Sequence, residues 1–75
     1  MINGIAFYRR LRGLKQEQLA KYLGTSQYRI SQYENDMQLP KSVGIYRRIA
    51  MILDTTVEEL LRYFPASLLD EDWDN

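Results

Sequence analysis

Apolar residues recur at helical intervals along most of the chain, and glycines or polar residues separate the groups. The pattern predicts five short helices: about Asn3 to Arg12, Gln16 to Leu23, Ser26 to Glu34, Ser42 to Leu53, and a last helix that opens at Thr56 and that Pro65 ends. Strand signals, internal repeats and Gly/Ser linkers are absent. We therefore expect an all-α fold, a compact domain of five helices joined by short loops.

The apolar positions of each helix also predict which side chains form the core. The core-facing residues are Ile5, Tyr8, Leu19, Ala20, Leu23, Ile30, Tyr33, Val43, Tyr46, Ile49, Ala50, Leu53, Val57 and Leu60. Arg9, Arg10 and Arg12 fall outside the stripe of the first helix, towards solvent or a partner. Gly13 and Gly24 suit the ends of the first two helices, because glycine adopts the left-handed conformation that closes a helix.

Charge is distributed unevenly although the net charge is zero, with ten basic and ten acidic residues. Residues 1–63 carry all ten basic residues and six acidic ones, a net charge of +4. Residues 64–75 carry four acidic residues and no basic one, a net charge of −4. We expect a basic domain of residues 1–64 followed by an acidic tail, residues 65–75.

Composition excludes several classes of function. The chain has no cysteine and no histidine, which removes disulfides, thiolate metal sites and the commonest general base. It has no apolar run long enough to span a membrane and no signal-peptide pattern at its N-terminus. A Gly-rich phosphate loop and a spaced carboxylate set are missing too. We expect a cytoplasmic protein without membrane contact, metal, cofactor, small-molecule ligand or enzymatic activity.

The segment from Gln16 to Glu34 is the most informative part of the sequence. It reads QEQLAKYLGTSQYRISQYE. Two short helices meet at a tight turn around Gly24, with the small Ala20 where the helices must cross and Ile30 placed to fill the core. A helix-turn-helix unit is built in this way, and its second helix enters the DNA major groove.

From Ile5 to Leu61 the chain resembles the phage Cro/repressor family of helix-turn-helix proteins. The matching pieces are Gly13-Leu14, Gln16, Leu19-Ala20, Leu23-Gly24-Thr25-Ser26, Ile30-Ser31, Tyr33-Glu34-Asn35, Pro40, Ile49-Ala50 and Thr56-x-x-Glu59-Leu60. The resemblance implies a repressor-like DNA-binding domain and double-stranded DNA as the partner. It also implies a small prokaryotic or phage transcription regulator that associates with the nucleoid through DNA.

The resemblance further implies roles for individual residues. The residues implied in base readout are Gln27, Tyr28, Arg29 and Gln32, since glutamine can pair with adenine through N6 and N7. For Tyr28 and Arg29 a phosphate contact is the alternative to a base contact. Phosphate contacts fall to Gln16, Lys15, Ser26, Ser31 and Lys41. Each of these positions also fits ordinary polar surface, and Ser26 fits a helix cap. Arg9 and Glu34 are expected to form a partly buried structural ion pair. Arg47, Arg48 and Arg62 lie on later helices, where solvent or tail contacts are favoured.

Three positions depart from the family pattern. Lys15 stands where Ser or Thr usually caps the second helix, which leaves about 1 kcal/mol of cap stabilisation missing. Asp36 and Asp54 occupy positions where glycine is common, and aspartate can adopt left-handed geometry at some cost. Asp36 also brings a negative charge near the expected DNA backbone.

A single recognition helix discriminates too few base pairs, so we expect a homodimer on a palindromic operator. Apolar residues exceed what the core needs near the fifth helix and in the tail. The dimer-interface candidates are Met51, Ile52, Leu61, Tyr63 and Phe64, with Leu68, Leu69 and Trp73 as further surplus apolar residues. The tail can instead fold back on its own domain, remain solvated, or compete with DNA for the basic face.

The sequence therefore predicts a sequence-specific DNA-binding transcription regulator that acts as a repressor by blocking polymerase. Activation remains open, since small members of the family do either. An antitoxin-type protein, or a protein-interaction module with weak or no DNA binding, is the alternative. The polar outer face of the third helix argues against the interaction module.

Overall fold

Five helices and one two-stranded ribbon follow one another in the computed structural model, which describes residues 1–69. The elements are β1 (Ile2–Asn3), α1 (Gly4–Leu11), α2 (Gln16–Leu23), α3 (Gln27–Glu34), α4 (Val43–Ile52), α5 (Val57–Leu60), β2 (Tyr63–Phe64) and a 3₁₀ turn (Ala66–Leu68). The mostly helical fold confirms the predicted class. The predictions for the four acidic residues and Trp73 of the tail lie outside the described residues.

Side-chain caps define where most helices begin. The side-chain oxygens of Asn3, Ser26, Ser42 and Thr56 each accept a hydrogen bond from the backbone N–H three residues later. Such caps satisfy donors that have no partner within the helix. The bounds of α3, which Ser26 caps, and those of α2, which has no side-chain cap, agree with the sequence prediction to within a residue.

The core lies where α1, α2, α3 and α4 meet, closed at one end by α5. Its buried members are Ile5, Leu19, Ala20, Leu23, Ile30, Tyr33, Ile49, Ala50, Leu53 and Leu60. One core prediction is wrong, because Val43 is 59% exposed, whereas Leu61, expected to be surplus to the core, is 58% exposed. Ile45, half-buried against the core, takes the inward position on the first turn of α4.

The ribbon contradicts the prediction that the chain contains no strand. β1 and β2 are antiparallel, with Ile2 opposite Phe64 and Asn3 opposite Tyr63. Two residues are too few to show the alternating pattern by which a strand is recognised. The predicted continuation of the fifth helix to Phe64 is also wrong, since α5 ends at Leu60 and Phe64 stacks on Phe7 with ring centroids 4.2 Å apart.

Gly4 and Asn3 join the ribbon to the helices. A Cβ at Gly4 would overlap the backbone of α5, at the carbonyl oxygen of Glu59 and the Cα of Leu60. Only glycine permits this approach of α1 to α5. Asn3 is buried, and its Nδ2 donates to the carbonyl oxygen of Tyr33 at 2.8 Å and to Oδ1 of Asp36 at 3.0 Å. The start of the chain is thereby fixed to the end of α3.

Arg12 is exposed, yet its guanidinium group turns back onto the fold. Its Nε donates to the carbonyl oxygen of Leu53 at 2.7 Å and its Nη2 to that of Asp54 at 2.8 Å. A cation at these carbonyls stabilises the C-terminal end of α4, where the helix dipole is negative. Asp54 and Asp36 have φ angles of 54° and 57°, the left-handed geometry expected at both. Within residues 1–69 no helix has the length and apolar character needed to cross a membrane.

Candidate nucleic-acid interface

The turn between α2 and α3 sets the angle at which α3 is presented. Gly24 closes α2 with φ 80°, a left-handed conformation that glycine adopts without steric cost. Two residues later, the hydroxyl of Ser26 accepts from the N–H of Arg29 at 3.2 Å and starts α3. Leu23 and Ile30 are buried on either side of the turn. The two helices therefore form one rigid unit, with one face of α3 left outside the core.

This outer face of α3 is polar and uncharged. Gln27 and Tyr28 are exposed, Ser31 and Gln32 are half-buried, and Asn35 follows the last turn. Nε2 of Gln32 donates to the hydroxyl of Tyr28 at 3.2 Å, and Nδ2 of Asn35 donates to the carbonyl oxygen of Ser31 at 2.8 Å. Amide and hydroxyl groups that both donate and accept are suited to the edges of bases in the major groove.

A chain of polar contacts runs from this face into the protein. Nε2 of Gln27 lies 3.5 Å from Oε1 of Gln16, the first residue of α2. Nε2 of Gln16 in turn donates to Oε1 of Glu34 at 3.1 Å. The orientation of the Gln16 amide, with its nitrogen inward and its oxygen towards Gln27, is thereby set by the fold.

Arg9 and Glu34 form the buried end of this chain of contacts. Nε and Nη2 of Arg9 donate to the two carboxylate oxygens of Glu34 at 2.5 and 2.9 Å. Nη1 of Arg9 donates to the carbonyl oxygen of Leu14 at 2.8 Å, and the Arg9 residue is fully buried. A paired, bidentate guanidinium is the form in which a buried charge is tolerated. The structure therefore places the two residues expected to pair in direct contact, linking α1, α3 and the loop before α2.

Lys15 and Lys41 are exposed at the two ends of the helix-turn-helix region, before α2 and after α3. The Lys15 side chain makes no cap hydrogen bond, because an ammonium group cannot accept one. Its backbone N–H donates to Oε1 of Gln18 at 2.8 Å, which is one of the two hydrogen bonds of a capping box. Glutamine three residues after the cap is the sequence signal for this contact, and the sequence analysis missed it.

Arg29 occupies a different environment from the other base-readout candidates. It is half-buried and lines a cavity between α3 and α4 together with Arg48. The sequence favours solvent or tail contacts for Arg48, because nothing in it links residues on two separate helices. Arg48 is exposed, as expected, and it also lines this cavity with Arg29 beside the recognition unit.

Asp36 is exposed and lies beside Asn3 of the ribbon. Its carboxylate accepts from Nδ2 of Asn3, and a hydrogen bond with it raises the pKa of the Tyr63 hydroxyl above 10.0. The negative charge expected near the DNA backbone is therefore hydrogen-bonded to Asn3 of the ribbon.

A second polar cluster lies between α1 and α5, away from the outer face of α3. The Tyr8 hydroxyl donates to Oε1 of Glu59 at 2.6 Å, and Nη1 of Arg62 donates to Oε2 at 2.9 Å. The hydrogen bond from Tyr8, followed by that from Arg62, lowers the pKa of Glu59 below 4.5. The same bond is the largest cause that raises the pKa of Tyr8 above 10.0. This cluster fastens α5 to α1.

The five dimer-interface candidates do not line one common cavity. Ile52 lines an apolar groove of about 430 Å³ with Arg12, Leu14 and Tyr22. Leu61 and Tyr63 line a smaller cavity beside the loop that follows α3. Met51 is 81% exposed on the last turn of α4, whereas the Phe64 ring is engaged by Phe7 of the same chain. Among residues 1–69 no cluster of three or more Asp or Glu side chains could hold a metal ion.

Three solved structures are similar to this chain. SinR in complex with DNA, described as the master regulator for biofilm formation, is 27% identical, with a TM-score of 0.67 over 75% of this chain and 89% of that one. The N-terminal DNA-binding domain of SinR from Bacillus subtilis is 27% identical, with a TM-score of 0.67 over 79% and 86%. A chain of the SinR/SinI protein complex is 28% identical, with a TM-score of 0.68 over 92% and 66%. Sequence comparison with curated proteins gives no match.

The turn at Gly24 and the exposed polar face of α3 define a helix-turn-helix protein. A helix-turn-helix family model matches residues 5–60. The chain belongs to this Cro/repressor-type family, whose members are DNA-binding transcription regulators, and the predicted family is confirmed.

Proposed function

We propose that this protein regulates transcription by placing α3 in the major groove of a specific DNA site. The observation that carries the proposal is the outer face of α3, where uncharged amide and hydroxyl groups face outward while the opposite face is buried. Gln27, Tyr28 and Gln32 are the residues that would meet base edges. The amides of Gln27 and Gln32 match the donor and acceptor pair of adenine, and the Tyr28 ring offers apolar contact to a thymine methyl.

Phosphate contacts would fix the register of α3 in the groove. Gln16 begins α2, where backbone N–H groups and the helix dipole favour an anion. Its Nε2 donates one hydrogen to Glu34, so a phosphate would accept from these N–H groups and from the second hydrogen of Nε2. Lys15 and Lys41 are exposed cations on either side of the helix-turn-helix unit. Ser26 and Ser31 supply hydroxyls on or beside the outer face. Such contacts carry affinity without carrying sequence information.

A homodimer on a two-fold symmetric operator is the assembly we propose. Two half-sites one turn of DNA apart require recognition helices about 34 Å from each other. The chain measures 31 × 23 × 23 Å, so two copies side by side span this distance. Met51, Ile52, Leu61 and Tyr63 retain surface for a partner, and Phe64 contributes only the part of its ring that Phe7 leaves uncovered. Analytical ultracentrifugation of the wild-type protein and of Leu61→Glu would test the assembly.

Repression by blocking polymerase is the simplest outcome of such binding for a chain of this size. The related SinR is described as a master regulator and has been solved with DNA. Its solved complex with SinI concerns that protein, and an antitoxin-type role for the present chain would need a comparable partner. The protein would act in the cytoplasm, on the nucleoid.

Selection of binding sites from a random DNA library at about 100 mM salt tests the proposal, since specific and non-specific binding separate at that salt. We expect enrichment of a two-fold symmetric motif with half-sites about ten base pairs apart. Gln27→Ala and Gln32→Ala should change the motif, whereas the exposed Lys21→Ala on α2 should not. Weak, salt-sensitive binding without enrichment would reject sequence-specific regulation and favour a protein-interaction role.

A further inference from the structure

Two arginines from different helices line one cavity next to the recognition helix. The cavity measures about 230 Å³ and lies between the turn, α3 and α4. Its lining is Leu23, Gly24, Thr25, Arg29, Tyr33, Ile45 and Arg48. The lining combines apolar side chains with two arginines and the two hydroxyl-bearing residues Thr25 and Tyr33. A cavity of this size accommodates a tetrahedral oxyanion.

Neither guanidinium group has a protein partner within residues 1–69. The hydrogen bonds and ion pairs of that part of the chain use Arg9, Arg12 and Arg62, and none uses the side chain of Arg29 or Arg48. Two cations beside one cavity repel each other, and an anion between them would reverse the sign of the interaction. The planar fork of donors on arginine matches the oxygens of a phosphate.

The position of the cavity indicates where such an anion comes from. Gln27 and Arg29 are two residues apart on α3, which separates their side chains by about 200° around the helix. Gln27 lies on the flank that faces Gln16, and Arg29 lies on the flank that faces α4. A helix with its side chains is about 10–12 Å wide and fills a major groove about 12 Å wide. Both flanks of α3 therefore meet a sugar–phosphate strand.

We propose that the Arg29–Arg48 cavity binds a backbone phosphate of the DNA strand opposite the one that Gln16 contacts. Arg29 then acts on the backbone and not on base edges, and Arg48 becomes a DNA contact although it lies on α4. The source of the phosphate rests on the proposed function, while the oxyanion chemistry of the cavity does not. The two flanks of α3 would then each contact one DNA strand, and these two contacts fix the rotation of the helix about its axis in the groove.

The neighbouring residues Arg47 and Arg48 provide a matched pair of variants. Both are exposed arginines on α4 and carry the same charge, but only Arg48 lines the cavity. We expect Arg48→Gln to weaken binding to the selected operator and to unrelated DNA by similar factors, and to lower the slope of log K against log salt by about 1. Arg47→Gln should leave both slope and affinity near the wild-type values.

Two results would overturn the proposal. Equal effects of Arg47→Gln and Arg48→Gln would mean that only overall charge matters. If Arg29→Gln changes the base preference but leaves the slope of log K against log salt unchanged, Arg29 contacts bases and not the backbone. The double variant Arg29→Gln/Arg48→Gln should lose less affinity than the product of the two single losses, because both remove the same contact.

Inorganic phosphate separates the chemistry of the cavity from the source of its ligand. At constant ionic strength, added phosphate should raise the melting temperature of the wild-type protein and of Arg47→Gln, but not that of Arg48→Gln. If phosphate raises the melting temperature but the wild-type protein binds no DNA, the oxyanion site is supported and the proposed function is rejected. Absence of protection, together with an unchanged salt slope in Arg48→Gln, would reject the site itself.

Discussion

Gln16 donates from its Nε2 to Oε1 of Glu34 at 3.1 Å, and this bond joins the outer face of the helix-turn-helix unit to the buried Arg9–Glu34 pair. Glu34 thus serves two purposes. It neutralises a guanidinium that has no access to water, and it orients a side chain that would contact DNA. Loss of Glu34 should consequently affect both folding and binding.

Glu34→Leu should destabilise the protein by about 3–5 kcal/mol, because the buried Arg9 guanidinium loses its counter-charge. The double variant Arg9→Met/Glu34→Leu removes the unpaired charge along with the pair and should recover most of that loss. Urea unfolding followed by circular dichroism measures both. A double variant less stable than Glu34→Leu would show that the pair matters through its packing and not through its charge.

Lys15→Ser should raise the free energy of unfolding by about 1 kcal/mol, because serine can accept the N-terminal hydrogen bond of α2 that lysine leaves unmade. The same variant removes a cation and should lower the salt slope of DNA binding by about 1. Lys21→Ser, inside α2, has no cap to gain and is the control for stability. An unchanged melting temperature in Lys15→Ser would mean that Gln18 alone satisfies the helix start.

Gly4→Ala and Gly44→Ala should have opposite signs. A Cβ at position 4 collides with the backbone of α5, so we expect a loss of about 1–3 kcal/mol. At position 44, in α4, the nearest atom to a new Cβ is the Ser42 hydroxyl at 3.5 Å, and alanine should stabilise by about 0.4–1 kcal/mol. Equal melting temperatures for the two variants would contradict the close approach of α1 to α5.

The Tyr8–Glu59–Arg62 cluster should make stability depend on pH in acid. The pKa of Glu59 is lowered by its hydrogen bond from Tyr8, so its contribution is present above 4.5 and is lost as the pH falls through the lower, folded-state pKa. Glu59→Gln should therefore be less stable than wild type at neutral pH, and the difference should shrink at an acid pH below the folded-state pKa of Glu59. Glu58→Gln, at an exposed neighbouring position, should show no such difference at either pH.

The sequence predicts the helix-turn-helix unit well because its signals are local. Leu19, Ala20 and Leu23 mark one face of α2, Gly24 its end, and Ser26 the start of α3. Caps and apolar spacing within ten residues are enough to place both helices.

Features that depend on distant residues escape the same reasoning. The ribbon exists because Ile2 and Phe64 meet across the whole chain, and neither strand has a pattern of its own. Apolar spacing predicts that the fifth helix continues to Phe64. In the structure the helix ends at Leu60, and the Phe64 ring packs against Phe7. The cavity of Arg29 and Arg48 likewise arises only when α3 and α4 pack.

The most direct test of the central claim compares the wild-type protein with Gln27→Ala. For each protein, the affinity for the selected operator is measured relative to its affinity for unrelated DNA at the same salt. The account predicts a wild-type preference for the operator of at least about 10³-fold. It also predicts a loss of about 1–3 kcal/mol of discrimination at one base pair in Gln27→Ala, with binding to unrelated DNA little changed. A wild-type ratio near one, or equal loss of binding to both DNAs in Gln27→Ala, would contradict sequence reading by α3.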